Sequence, residues 1–198
     1  MKRVVMCEGK RDVTFVERYY DTRPGETLVT TFIGETVKHS RLKNEESESI
    51  ANFLERRNPY DVLAKSENGK QDLKMAFTKL VNHLVRQPIE LCLLIDLDDR
   101  SYPQLIDDLD TRVRDNYDGR TLGVTHQERL DRTPELLVTS SRLEANEEPV
   151  GEFSILAFQS CLEDAAAIED GDCRETESQK LDRLLADDRL TTLLAHAL

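Results

Sequence analysis

No stretch of the chain approaches the run of about 18 apolar residues that a membrane-spanning helix needs. The opening Met-Lys-Arg is followed by only Val4, Val5, Met6 and Cys7 before the next charge, too short an apolar region for a signal peptide. Cysteine is scarce. Cys7, Cys92, Cys161 and Cys173 form no Cys-x-x-Cys pair, and the first two fall in predicted buried strands. That argues against a zinc ribbon or a disulfide framework. The expected setting is cytoplasmic and reduced. Neither a Walker A string nor a Rossmann glycine string is present. His39, His83, His126 and His196 lack metal-ligand spacing, and His83 is expected to serve structurally in a helix. No serine or cysteine has the elbow and nearby base of a nucleophile. There is no internal repeat and no low-complexity segment.

Lysine is also sparse, supplying 9 of the 27 basic residues against 18 arginines. With 39 acidic residues the formal net charge is -12. Nucleic-acid binders usually present a basic face, so this balance weighs against one. An acidic, lysine-poor surface also fits a halophilic protein, for which the Debye length is only about 3 Å at 1 M salt. Under that reading, net charge says little about partners.

At 198 residues and 38% apolar content, the chain suits one folded domain covering 1–198. Apolar runs and helical periodicity alternate along it. Strands are expected at 3–7, 28–33, 61–65, 89–95, 136–139 and 153–158. Helices are expected at 12–20, 72–86, 102–117, 161–168 and 180–197. Residues 38–57 read as polar and then helical from about 45, and 169–177 as an acidic loop. The run IELCLLI (89–95) is the most hydrophobic in the chain, the mark of a strand buried on both faces. The fold class is therefore α/β, a mostly parallel sheet with helices on both faces. Ligands of such sheets sit outside the carboxyl ends of the strands.

Two strands end there in acid: the first in Glu8-Gly9, the buried one in Asp96-Leu97-Asp98-Asp99. If the two strands are neighbours, their carboxylates share a cleft, and crowded carboxylates repel unless a cation neutralises them. Hard oxygen ligands suit Mg²⁺, with Mn²⁺ as a substitute. Alternation along the strand would point Asp96 and Asp98 the same way. Gly9 would let a phosphate or the water shell of a metal come close to the backbone. In so acidic a chain, a solvated loop is the competing reading of the Asp-x-Asp-Asp string.

The stretch VVMCEGKRDVTFVERYY resembles the first Toprim motif, an apolar strand followed by Glu-Gly-x-x-Asp and a helix. LCLLIDLDD resembles the second motif, and AKSENGKQDLKMAFTKLVNHL resembles the strand, Gly-Lys turn and helix between the two in OLD-type Toprim domains. The resemblance covers the core, about 1–120; the C-terminal strands and helices, about 121–198, match weakly. It implies a Toprim-like (Rossmann-like) fold and a small stand-alone nuclease acting on DNA or RNA with Mg²⁺. Glu8 would be general acid or base, or a metal ligand. Asp96 and Asp98 would bind metal. Asp12 would lie near a metal, or equally cap its helix. Lys70 would meet a phosphate, or equally be a surface lysine. Asp99 reads as solvated. Glu163 follows a late strand and either opens a second metal site or merely complements a helix dipole. Arg142 and Glu144, after the strand at 136–139, are outside candidates for the cleft wall. Against a nuclease stand a non-catalytic metal- or phosphate-binding module, an Asp-x-Asp phosphatase and a receiver domain. The phosphatase places its motif after the first strand, where Glu8-Gly9 stands here. The receiver needs an acidic pair after the first strand, where Glu8 is alone.

Overall fold

The computed structural model describes residues 1–23, 25, 27–32, 53, 60–98, 100–117 and 121–198. The predicted helical stretch within 38–57, as well as His39 and Asp99, lie outside the described residues.

β1 (Lys2–Cys7) leads into α1 (Lys10–Asp21), followed by β2 (Leu28–Phe32) and β3 (Val62–Ser66). α2 (Lys70–Leu84), β4 (Ile89–Asp96) and α3 (Tyr102–Asn116) come next. β5 (Leu122–Arg132), β6 (Leu136–Ala145) and β7 (Glu148–Phe158) then run as a meander. α4 (Leu162–Ala166), α5 (Arg174–Leu185) and α6 (Asp188–Leu194) close the chain. One seven-stranded sheet has the order β2-β3-β1-β4-β7-β6-β5. β2 through β7 in that order pair in parallel, whereas β7-β6 and β6-β5 are antiparallel.

The alternation of side chains splits the core into two layers. Val4, Met6, Leu63, Leu91, Leu93 and Ile95 pack against α2 and α3. Val5, Cys7, Ala64, Cys92 and Leu94 pack against α1, α5 and α6. A fully buried side chain of this kind stabilises by roughly 1.5–3 kcal/mol. β4 has parallel neighbours on both edges and helices on both faces, which explains its unbroken apolar run.

β5 is a strand that the sequence reading did not assign. Its polar alternation offers no apolar run, and it lies at the sheet's edge. β6 and β7 are longer than expected because they form a hairpin through Asn146 and Glu147, both at positive φ (53° and 67°). The single helix expected over 180–197 is two, α5 and α6. Asp187 separates them by accepting bonds from the amides of Arg189 (2.8 Å) and Leu190 (3.2 Å). α5 begins at Arg174, inside the expected acidic loop. His83 is exposed in the last turn of α2 and takes no part in the core.

Candidate functional site

β1 and β4 are adjacent and parallel, with Cys7 level with Leu94. The acids that follow them therefore reach the same rim of the sheet. An open cleft of about 420 Å³ lies there, lined by Glu8, Asp12, Asp96 and Glu163 and floored by residues 66–69.

Hydrogen bonds from the backbone hold these acids in place. Glu8 Oε1 accepts from the Asp96 amide at 2.8 Å, tying the two strand ends together. Asp96 Oδ1 accepts from the Leu162 amide at 3.2 Å, which joins it to the start of α4. Asp12 Oδ2 accepts from the Gly9 amide at 2.8 Å. Asp12 is not the N-cap of α1, as the sequence reading had it. Gly9 is the N-cap, and Asp12 reaches back from the third helical position. Glu163 stands in the first turn of α4 and pairs with Arg11 Nη1 at 3.0 Å.

Crowding and burial act on the protons. The Asp96 carboxyl is pushed up to about 8, first by burial and then by the charges of Asp12, Glu8 and Glu163. Asp12 is pushed up to about 7, again first by burial, against the opposing bond from Gly9. Glu8 is raised by burial, opposed by the Asp96 amide and by Lys70. Without a cation, Asp96 and Asp12 therefore hold protons near neutral pH.

Asp98 departs from expectation. The strand ends at Asp96, and Asp98 takes a left-handed conformation with φ 47°. Its side chain is 61% exposed and forms an ion pair with Lys70. Asp96 instead bonds toward α4, so the two aspartates do not point the same way; the turn cancels the alternation. Lys70 is no free surface lysine. It opens α2, sits 3.7 Å from Glu8 Oε1, and its side chain is only 16% exposed. Gly69, the preceding N-cap, has φ 96°, a conformation that favours glycine. Gly9 is extended (φ -145°), and a Cβ there would meet Asp12 Oδ2 at an ordinary 3.9 Å. Its backbone therefore does not demand glycine.

Arg142 and Glu144 lie away from the cleft. β6 runs antiparallel, with Leu136 opposite Phe158 and Arg142 opposite Glu152. Phe158 is level with Asp96, so Arg142 is at the opposite end of the sheet. Glu144 accepts a bond there from Thr125 at 2.9 Å.

Three residues beside the cleft went unremarked in the sequence. Lys65 and Glu67 form an ion pair whose side chains are 1% and 2% exposed, and Glu67 lines the cleft. The readable signal was a lysine inside an otherwise apolar buried strand, which needs a partner on its own face two residues on. Arg11 bridges Glu163 and Glu177. Its partners are 152 and 166 residues away, so no local pattern marks it.

The donor set suits a hard cation, since all four acids offer oxygen. Among the described residues, no three acidic, histidine or cysteine side chains are grouped closely enough to hold an ion. A cation bound there through one or two carboxylates would keep several waters, as Mg²⁺ does. Among the described residues, no helix is long and apolar enough to cross a membrane.

No family model matches the chain, and no curated protein matches it. Among solved structures, it is similar to the solution NMR structure of a de novo designed protein with a P-loop NTPase fold. The identity is 16%, over 58% of this chain and 74% of that one, with a TM-score of 0.32. A likeness at that score carries no argument about the site.

Proposed function

We propose that the chain is a Toprim-type protein that performs Mg²⁺-dependent phosphodiester chemistry on DNA or RNA at this cleft. The observation that carries the reading is the adjacency of β1 and β4, which brings Glu8 and Asp96 to one rim beside Asp12 and Glu163. The α/β sheet with helices on both faces supports it, as does the position of the cleft at the carboxyl ends of parallel strands.

Asp96 and Glu8 would hold the cation directly, and Asp12, Glu163 and the exposed Asp98 would meet it through its water shell. A bound Mg²⁺ supplies positive charge for the phosphate oxygens and lowers the pKa of a coordinated water. Glu8 is held by the Asp96 amide and its carboxyl is raised by burial, which suits it to carry a proton to or from a reacting oxygen. Lys70 balances negative charge between Glu8 and Asp98 and offers its ammonium to a phosphate. The acidic, lysine-poor composition belongs with the same reading if the protein works in concentrated salt, where long-range repulsion of the substrate is screened.

The test is incubation with plasmid, single-stranded DNA and RNA in Mg²⁺ or Mn²⁺, at low and high salt. Cleavage that disappears in Glu8→Gln and Asp96→Asn supports the enzyme. Cation binding without cleavage of any of the three supports the second reading, a non-catalytic metal- and phosphate-binding module. The acidic composition, with a net charge of -12, favours that module. An aspartyl adduct trapped from a small phosphomonoester would instead establish the Asp-x-Asp phosphatase.

A further inference from the structure

Beside the acidic cleft lies a second cavity, between α1 and α5, of about 390 Å³. Lys10 and Arg11 line both, so the two are adjacent. The second has a different character. Ile168 and Leu181 give it an apolar floor, and Arg174 joins Lys10 and Arg11 on its rim. Thr14 of α1 and Ser178 of α5 also line it. Its volume falls within the range of about 300–1,000 Å³ typical of small-molecule sites. Arg11 forms the shared wall. Its guanidinium pairs with Glu163 of the first cleft at 3.0 Å and with Glu177 of the second at 2.6 Å.

An apolar floor under a basic rim matches one nucleotide: a flat base below and a phosphate above. The base face can be offered only if it is unstacked, as in a single strand. In a chain of net charge -12, the lining carries Lys10, Arg11 and Arg174 against one acid, Glu177, with Arg11 held in ion pairs to Glu163 and Glu177, so a basic excess remains on the rim.

We infer that this second cavity is a nucleotide subsite, which holds the unit of a single-stranded polynucleotide next to the phosphate in the acidic cleft. The inference rests on the phosphodiester reading for the neighbouring phosphate, but the subsite itself uses other residues. Arg174 and Lys10 hold the flanking phosphate, and Ile168 with Leu181 carries the base.

The experiment measures fluorescence anisotropy of a short fluorescein-labelled oligo-dT strand and of a matching duplex, with Ca²⁺ present. Mn²⁺ binding to each variant is titrated in parallel. The strand should bind more tightly than the duplex. Arg174→Ala and Ser178→Glu should each weaken the strand by about tenfold. Arg174→Ala should also reduce the salt slope by about 0.7. Thr14→Arg should tighten binding several-fold, a gain that damage to the fold cannot produce. Mn²⁺ binding should stay unchanged in all three variants. No binding of the strand, equal binding of the duplex, or indifference to all three substitutions would overturn the subsite. Strand binding that follows these substitutions while Mn²⁺ fails to bind the wild-type protein would support the subsite and overturn the cation reading.

Discussion

The sheet has two halves of opposite habit. From β2 to β7 the strands run in parallel, and polar residues that follow β1, β3 and β4 collect at one rim. From β7 to β5 they run antiparallel, and polar residues late in β6 go to the other rim. Glu8 and Asp96 are 88 residues apart and share a hydrogen bond. Arg142 also follows an apolar run, yet sits at the far end of the sheet. Strand direction decides which polar residues meet; position after an apolar run does not.

The sharpest way to break that contrast is to substitute on both rims. Glu8→Gln and Asp96→Asn should each lower cleavage by about 10²–10⁴-fold, the usual contribution of a positioned acid or base. Arg142→Ala and Glu144→Gln, both half-buried at the far rim, should leave cleavage of the folded protein within about twofold, since neither touches the cleft. Equal losses on both rims would erase the distinction.

The buried pair under the cleft gives the next effect. Lys65→Met leaves Glu67 buried without its partner and should destabilise by about 3–5 kcal/mol. Adding Glu67→Leu should restore most of that loss. Denaturant melts of the two variants check this, and a double variant no better than the single one would deny that the pair is a unit.

pH separates the rims more gently. Asp96 and Asp12 hold protons in the folded state at about 8 and about 7, above the ordinary 3.8. The folded protein thus binds more protons than the unfolded chain between pH 4 and 8. Cation-free stability should be greatest below about pH 4 as far as these groups decide it, and fall as pH rises toward 8. Thermal melts in chelator should drop by about 5 °C or more between pH 5 and pH 8. Asp96→Asn should flatten that slope, and Mg²⁺ should stabilise more at pH 8 than at pH 5. A flat profile for the parent protein would contradict the crowding.

The smallest expected effect is at Asp98. Its ion pair with Lys70 is largely solvent-exposed on the aspartate side. Asp98→Asn should change stability by no more than about 1 kcal/mol, read from the same melts.

The parallel half was the more legible in the sequence, for a physical reason. Its strands β1, β3 and β4 are largely buried on both faces and its helices are amphipathic, so β1, α1, α2, β4 and α3 all announce themselves by period. The antiparallel half has a strand without an apolar run, β5, and a hairpin whose second turn residue is Glu147 where glycine would be the usual signal. In the site, Glu8 and Asp96 were readable because each follows an apolar strand. The turn at Asp98 was not, because a left-handed residue without glycine leaves no mark in the sequence. Arg11 was not readable either, since its partners come from the far end of the chain.

On the proposed function, the two strand ends and the acids beside them form one cation site. Electron paramagnetic resonance of Mn²⁺ titrated into chelator-treated protein at pH 8 tests it most directly. Mn²⁺ should bind saturably to the parent protein and to Arg142→Ala, more weakly to Glu8→Gln, and not to Asp96→Asn. Mn²⁺ that binds equally well to Asp96→Asn, or does not bind the parent protein, would contradict it.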